Sequence, residues 1–467
     1  MSKFGANAST RASTVLIQNI TVIHVERNGD SILQEDASVL IKNGRIDSIG
    51  SVPTSSVAAN ALIVDGTGRW LLPGFIDTHV HFFQSGNPYT RPDGLDLTKH
   101  VPYERENARN HARLPVTLRT WLACGVTGVI DMGGPFWNFT VRERAQRTAE
   151  APRVQVAGPL FSMVARPSLE LDDPPILKVS SFADVRKLAE RQLALKPDYL
   201  KVWFIHAPQD DLSAQEELVR TVGDFAHANG IPLAVHATEL ETAKAALRAG
   251  ANILVHSVMD RSVDEEFLRM AKENRVIYEP TLYVERGYYE VFSRNWAPTE
   301  TEKRLGDPQI LEHMQDLERF SEADVPEKIR SVFMKKGVAP SSEVLERRRV
   351  AEQNLLEVWR RGITVTLGTD AGNIGTLHGP SVFREMALMV HAGLTPAQVL
   401  WCATANGAIA MGLEEQVGKV AVGFAADMVI LNSNPLKNIE NASDISHVIK
   451  AGMVFSVDEL LSGRQAG

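Results

Sequence analysis

The sequence predicts an α/β protein: a parallel (β/α)8, TIM-like barrel carrying a small composite β-sandwich domain formed by both termini. Three observations carry that prediction. Short apolar runs alternate with amphipathic helical stretches through the middle of the chain, the pattern of parallel strands joined by crossover helices. Both ends are written instead in short β-rich runs broken by Asn-Gly, Asp-Gly and Gly turns. The first strand of the middle lacks the Gly-rich phosphate turn that an open doubly wound sheet would carry there.

The elements follow in chain order. Residues 1–72 form the N-terminal part of the β-domain. The lead "MSKFGANASTRASTVLIQN" has no uninterrupted apolar stretch before a small-residue cleavage site, so it reads as a short disordered lead rather than a signal peptide, and a cytoplasmic location is expected. Behind it, "TVLIQNITVIHV", "ASVLIKNGRIDSIG" and "ALIVDGTGRWLLPG" read as a small antiparallel sheet. Residues 73–413 form the barrel, with strands expected at 75–81, 127–132, 153–158, 199–204, 232–237, 252–257, 275–280 and 364–370. The intervening helices, such as "SAQEELVRTVGDFAHANG" and "ELETAKAALRAGA", close on glycine. About residues 282–362 the text is charged, helical in pattern and too long for a simple connection. This predicts a helical insert over the barrel mouth, part surface decoration and part lid or pocket wall. Residues 414–467 return to strands, "VGKVAVGFAADMVILNSNPL" and "ISHVIKAGMVFSV", and complete the β-domain.

Composition narrows the function. The chain has 467 residues, 44% of them apolar and 23% charged, as in globular proteins, and a formal charge of -8. No segment is basic enough to make nucleic acid the main partner, and no 18-residue apolar run marks a membrane span. Only Cys124 and Cys402 occur, too few for a disulfide framework or a thiolate metal site, so any metal must be held by nitrogen and oxygen.

The stretch "LLPGFIDTHVHFF" places His79 and His81 one residue apart on the first barrel strand, where residues i and i+2 face one side. In a parallel barrel the chemistry lies at the C-terminal strand ends. There the sequence also puts Lys201, His236, His256 and Asp370. Singly, each has an ordinary explanation: a histidine in "LAVHA" or "ILVHS" as a satisfied core imidazole, Lys201 as a snorkelling lysine, Asp370 as a helix cap. Jointly, four imidazoles and a carboxylate at separate strand ends suit zinc-like divalent ions with an open water position.

These residues, together with "IKNGRIDSIG", "LKVW", "AVHATELETAKAALRAGANILVHS", "LGTDAG" and the return strand "VGKVAVGFAADMVILNSNPL", make the chain resemble the metal-dependent amidohydrolase superfamily. Within it, the resemblance is to the branch of imidazolonepropionase-like proteins and Xaa-Pro and Xaa-Arg/Lys dipeptidases. It implies two divalent metal ions, zinc foremost, with His79 and His81 on the inner ion, Asp370 beside them, and His236 and His256 on the second. Lys201 falls where such proteins carry an N6-carboxylysine bridging both ions. The implied reaction is hydrolysis of an amide-type C–N bond in an N-acyl amino acid, dipeptide or cyclic amide, with Asp370 as general acid/base. The same centre would serve a lactonase or organophosphate esterase, and a mononuclear imidazolonepropionase- or deaminase-like enzyme would use the histidines and aspartate without the lysine bridge. The partner is a small molecule, and self-association into a homo-oligomer is expected.

Two departures from the dipeptidase pattern weigh on substrate. The lysine is followed by "KVWFIHAPQDD" rather than a "SGG"-type turn, and Thr238 stands where a tyrosine is usual. Substrate contacts are expected from His206, Trp203, Tyr283, Arg286 and His378, with Tyr283 and Arg286 able to supply a phenol and a carboxylate clamp.

Overall fold

The computed structural model describes residues 13–464 except 28, 54, 56, 208, 321–324, 326, 328, 329, 331–336 and 463. Most of the lead expected to be disordered, residues 1–12, lies outside the described residues. The first five strands, β1 (Thr14–Val25), β2 (Ser31–Lys42), β3 (Arg45–Gly50), β4 (Leu62–Asp65) and β5 (Trp70–Pro73), come from the N-terminal part. β6 (Phe75–Val80), β7 (Val126–Asp131) and β8 (Arg153–Val156) follow, then β9 (Leu160–Ser162), β10 (Ile176–Lys178), β11 (Leu200–Trp203), β12 (Leu233–His236), β13 (Ile253–Val255), β14 (Ile277–Glu279) and β15 (Thr364–Val365). β16 (Met428–Leu431), β17 (Ile445–Lys450) and β18 (Met453–Ser456) close the chain.

The fold is α/β with parallel sheets. All eight runs read as central strands are strands, and two short ones, β9 and β10, appear between them. Each of those two is three residues long, too short to show a periodicity. β6, β7 and β8 form a three-stranded parallel sheet, and the other seven a parallel sheet in the order β10-β9-β11-β12-β13-β14-β15. β7 is buried along its whole length, as strands covered on both faces are. Backbone hydrogen bonds join the two sheets at both sides: Asp198 N–H to Val156 O at 2.9 Å on one, and Thr78 N–H to Leu367 O at 2.9 Å and Asp370 N–H to His79 O at 2.8 Å on the other. β15 is shorter than the 364–370 expected, although Thr366 N–H still donates to Tyr278 O at 3.2 Å and the chain turns only at Asp370, whose φ is +60°.

Strands from both ends of the chain share one eight-stranded sheet, ordered β18-β17-β16-β5-β1-β2-β3, with β4 beside β1. It is mixed rather than antiparallel, since β4 and β5 both run parallel to β1. A separate apolar cluster including Ile17, Ile20, Val39, Leu71 and Met428 lies on this sheet. The described part of 282–362 is mainly helical, with helices at Leu282–Phe292, Glu300–Leu305, Pro308–Met314 and Ser342–Arg360. Val291, Met314 and Leu317 of this interval pack against Tyr89, Leu95 and Leu97 from the segment after β6. Among the described residues, no helix is long and apolar enough to cross a membrane.

Candidate metal centre and active site

The ends of the parallel strands open on a cavity of about 470 Å³ whose walls include His79, His81, Lys201, His236, His256 and Asp370. All six sequence-selected residues therefore meet in one place, although they are spread over almost 300 positions of the chain. The His79 and His81 rings lie 5.0 Å apart, His79 and His256 5.1 Å, and His236 and His256 4.4 Å between centroids. Ligand atoms of His79, His256 and Asp370 fall within 4.8 Å of one another.

Hydrogen-bond partners fix how these rings point. His81 Nδ1 lies 2.6 Å from Gly133 O. A carbonyl only accepts, so Nδ1 carries a proton and turns Nε2 toward the cavity. His81 Nε2 faces Asp370 Oδ1 at 3.1 Å, with His79 Nε2 3.2 Å from it and 3.4 Å from the carboxylate oxygen. Asp370 is ionised: burial alone would raise its carboxyl, but His79, His81 and Lys201 outweigh burial and hold it below the ordinary carboxylate range. Either a proton on Nε2 or a cation held between the imidazoles and the carboxylate satisfies this close approach. The other face of His79 meets Glu279, with Nδ1 2.8 Å from Oε1, and Thr78 donates to the second oxygen of that carboxyl at 2.5 Å. His256 Nδ1 lies 2.6 Å from Thr281 Oγ1. These partners orient His79, His81 and His256, as carboxylates and hydroxyls do behind metal-binding histidines.

Burial sets the protonation states. It pushes His79, His236 and His256 well below the ordinary histidine value, so they are neutral donors of electron pairs. It lowers the Lys201 ammonium to about 8. Lys201 is only 1% exposed and its Nζ has no hydrogen-bond partner among the described residues, which is unfavourable for a buried polar group. Backbone strain is present here too, with left-handed φ at His256 (+76°), Asp370 (+60°) and the β-branched Thr281 (+44°).

The expected substrate contacts divide. Trp203 lines the cavity, with the Arg166 guanidinium stacked 4.5 Å from its ring centre. His206, Tyr283, Arg286 and His378 are not among the lining residues. His206 meets Gln215 at 2.9 Å, Arg286 pairs with Glu352 at 2.6 Å, and Tyr283 packs under Arg384. His378 Nε2 donates to His81 O at 3.2 Å, so it braces the strand that carries the two histidines.

Sequence reasoning missed Glu279, Arg91, Asn373, Tyr288 and Tyr289. Glu279 carried the same signal as the histidines, a polar residue at the end of the apolar run "RVIYEP". The helix Leu282–Phe292 explains the tyrosines: Val284, Glu285, Tyr288, Tyr289 and Phe292 line the cavity, the spacing of one helical face, which turns Tyr283 and Arg286 away.

A cavity at the ends of parallel strands, walled by four imidazoles, a lysine and a carboxylate, is a hydrolase class of site. The chain belongs to the amidohydrolase family, whose pattern it matches over residues 70–454. It is 23% identical to the imidazolonepropionase of Myxococcus xanthus (strain DK1622), over 92% of this chain and 93% of that protein. It is 24% identical to the ochratoxinase of Aspergillus niger over 51% of this chain, a match that spans only 41% of that relative's length. In structure it is similar to a Xaa-Pro dipeptidase with bound methionine in the active site, with a TM-score of 0.70 and 20% identity over 95% of this chain and all of that one (100%). The imidazolonepropionase and the Xaa-Pro dipeptidase support the imidazolonepropionase-like and prolidase-like branch that the sequence resembles.

Proposed function

We propose that the protein is a metal-dependent hydrolase of an amide-type C–N bond in a small molecule: an N-acyl amino acid, a dipeptide or a cyclic amide. The observation that carries this is the convergence of four imidazoles, Lys201 and Asp370 on one cavity, with ligand atoms of His79, His256 and Asp370 within 4.8 Å of one another. In this reading the two parallel sheets act as one (β/α)8 barrel, residues 73–413, and the shared terminal sheet is the small β-domain built from 1–72 and 414–467. The hydrogen bonds that join the sheets at both sides support it. A homo-oligomer in the cytoplasm with a small-molecule partner belongs to the same proposal.

His79, His81 and Asp370 would hold one divalent ion, with zinc the best match to a nitrogen-rich set. His236 and His256 would hold a second. Lys201, partnerless and with a lowered pKa, would bridge them as N6-carboxylysine, because its neutral amine is the form that adds carbon dioxide. When bound, the ions supply Lewis acidity and a lowered pKa for water. The chain does the rest. Asp370 takes the proton of the attacking water and returns it to the leaving nitrogen. Phe83, Trp203, Met259, Tyr288, Tyr289 and Phe292 wall the cavity and exclude bulk water. The charged wall residues Arg91 and Glu285 are already paired, with Asp93 at 2.7 Å and Arg348 at 2.6 Å, so the pocket favours a substrate with a bulky uncharged group.

A mononuclear reading rests on the tight group of His79, His256 and Asp370. Metal analysis separates the two. Close to two ions per chain, with a carbamate signal from isotopically labelled bicarbonate in the NMR spectrum, supports the bridge; one ion and unmodified Lys201 defeat it. The activity is tested on the metal-loaded protein with N-acyl amino acids, dipeptides, cyclic ureides, lactones and aryl phosphates side by side. Turnover of only the last two would overturn the C–N assignment.

A further inference from the structure

Asn373 lies three residues past Asp370, is 3% exposed, and makes contacts that reach three elements. Its Nδ2 donates to Asp370 Oδ1 at 2.6 Å and to the Asp370 carbonyl at 3.2 Å. Its Oδ1 accepts from Arg91 Nη1 at 2.8 Å and from the Tyr288 hydroxyl at 2.7 Å. The amide has only one possible sense. A guanidinium can only donate and a carboxylate can only accept, so the oxygen must face Arg91 and the nitrogen must face Asp370. Arg91 is itself immobilised by a two-pronged pair with Asp93, Nε to Oδ1 and Nη2 to Oδ2, both at 2.7 Å.

The backbone holds these elements in register. Gly375 N–H donates to Gly86 O at 2.9 Å and Gly86 N–H to Gly372 O at 2.8 Å, which ties the segment after β6 to the segment after β15. The helix bearing Tyr288 touches the same segment through Gly287 and Gly375. A Cβ on Gly375, whose φ is +85°, would meet Gly287 O at 2.5 Å, and one on Gly287 would meet the Gly375 backbone at 3.2 Å. Only two glycines allow that approach.

We propose that Asn373, locked by Arg91 and Tyr288, is a positioning residue that fixes the Asp370 carboxylate: it holds Oδ1 toward the histidines and leaves Oδ2 as the oxygen that exchanges the proton. This rests on the role given above to Asp370. Arg91 and Tyr288 serve this network rather than clamping a substrate carboxylate, and because both also line the cavity, they join its wall to the acid/base group.

Asn373→Ala and Tyr288→Phe in the full-length metal-loaded protein test the assignment through three readouts. In Asn373→Ala, kcat falls about 10- to 100-fold with KM nearly unchanged, and zinc is lost to a competing chelator at about 10- to 100-fold lower chelator concentration. Tyr288→Phe, which removes one of two donors and little packing, shifts both in the same direction by less. A crystal structure of Asn373→Ala shows the Asp370 carboxylate rotated away from His81. The inference is overturned if Asp370 keeps its place in that structure, if kcat and zinc retention stay within about twofold of the parent, or if KM alone rises, since the last would make the amide a substrate contact. The crystal structure decides the point even if the parent turns over nothing in the panel or binds no zinc, results that would instead count against the proposed function.

Discussion

Two buried lysines place the active-site cavity and the seam between the sheets in direct contrast. Lys201, on β11, is 1% exposed and its Nζ has no partner among the described residues; Lys450, on β17, is 6% exposed and its Nζ donates to Asp427 Oδ2 at 2.9 Å. Asp427 is fully engaged, since Arg153 of β8 reaches the same oxygen at 3.0 Å and Ala451 N–H the other at 2.7 Å. The buried Lys450–Asp427 pair thus lies within the terminal sheet, and the more exposed Arg153 ties it to the parallel sheet. The cavity leaves its buried lysine unsatisfied, an arrangement that folding alone does not favour and that a ligand can complete.

The sharpest break of this contrast is at Asp370. Asp370→Asn keeps size and burial but removes the negative charge and the proton acceptor. We expect kcat to fall about 100- to 10,000-fold, the range for loss of a general acid/base, with metal retained and the fold intact by circular dichroism. Full turnover in a metal-loaded Asp370→Asn protein would remove Asp370 from the chemistry.

The two lysines should then respond oppositely to one substitution. Lys450→Met leaves the buried Asp427 carboxylate with Arg153 and one amide. The loss should be about 2 to 3 kcal/mol, less than the roughly 3–5 kcal/mol of a pair broken with no remaining partner. Lys201→Met replaces a partnerless buried ammonium with an apolar chain of similar length, so the metal-free protein should gain about 1 kcal/mol. Its metal content and activity should fall all the same. Denaturant midpoints of the two variants and the parent, all metal-free, make the measurement. Equal losses would show that Lys201 is as well satisfied in solution as Lys450.

The same contrast explains what was legible in the sequence. The eight central strands were readable because each is a run of apolar residues bounded by turns, and His79, His81, Lys201, His236, His256 and Asp370 stood out as polar interruptions at the ends of such runs. Glu279 obeyed that rule and was passed over. Tyr288, Arg91 and Asn373 could not be found this way, because their relation is a meeting of three segments brought together by Gly287 and Gly375, and no local pattern encodes it. Tyr283 and Arg286 were chosen by residue type from the right helix, but its 3.6-residue period turns them off the cavity. The mixed character of the terminal sheet escaped for a similar reason, since strand spacing says nothing about whether β4 and β5 run with or against β1.

The smallest effect concerns acid. Burial tends to raise the Asp427 carboxyl, but Lys450 and Arg153 outweigh it and hold it below the ordinary carboxylate range. A carboxyl whose folded pKa lies below its unfolded value near 3.9 stabilises the fold above that pH and loses this contribution as pH falls through the folded pKa. In Lys450→Met the main opposing charge is gone, so the folded pKa rises and protonation relieves the unpaired carboxylate earlier. The stability gap between parent and Lys450→Met should therefore be widest near pH 7 and narrow by about 1 kcal/mol toward pH 3, since each unit of pKa shift is worth about 1.4 kcal/mol. Lys201→Met leaves Asp427 untouched, and any change in its acid dependence reports on Asp370, which loses the Lys201 charge, rather than on the seam. A Lys450→Met gap that stays constant from pH 7 to pH 3 would mean that Arg153 alone holds Asp427 in place, and the seam would then rest on one ion pair rather than two.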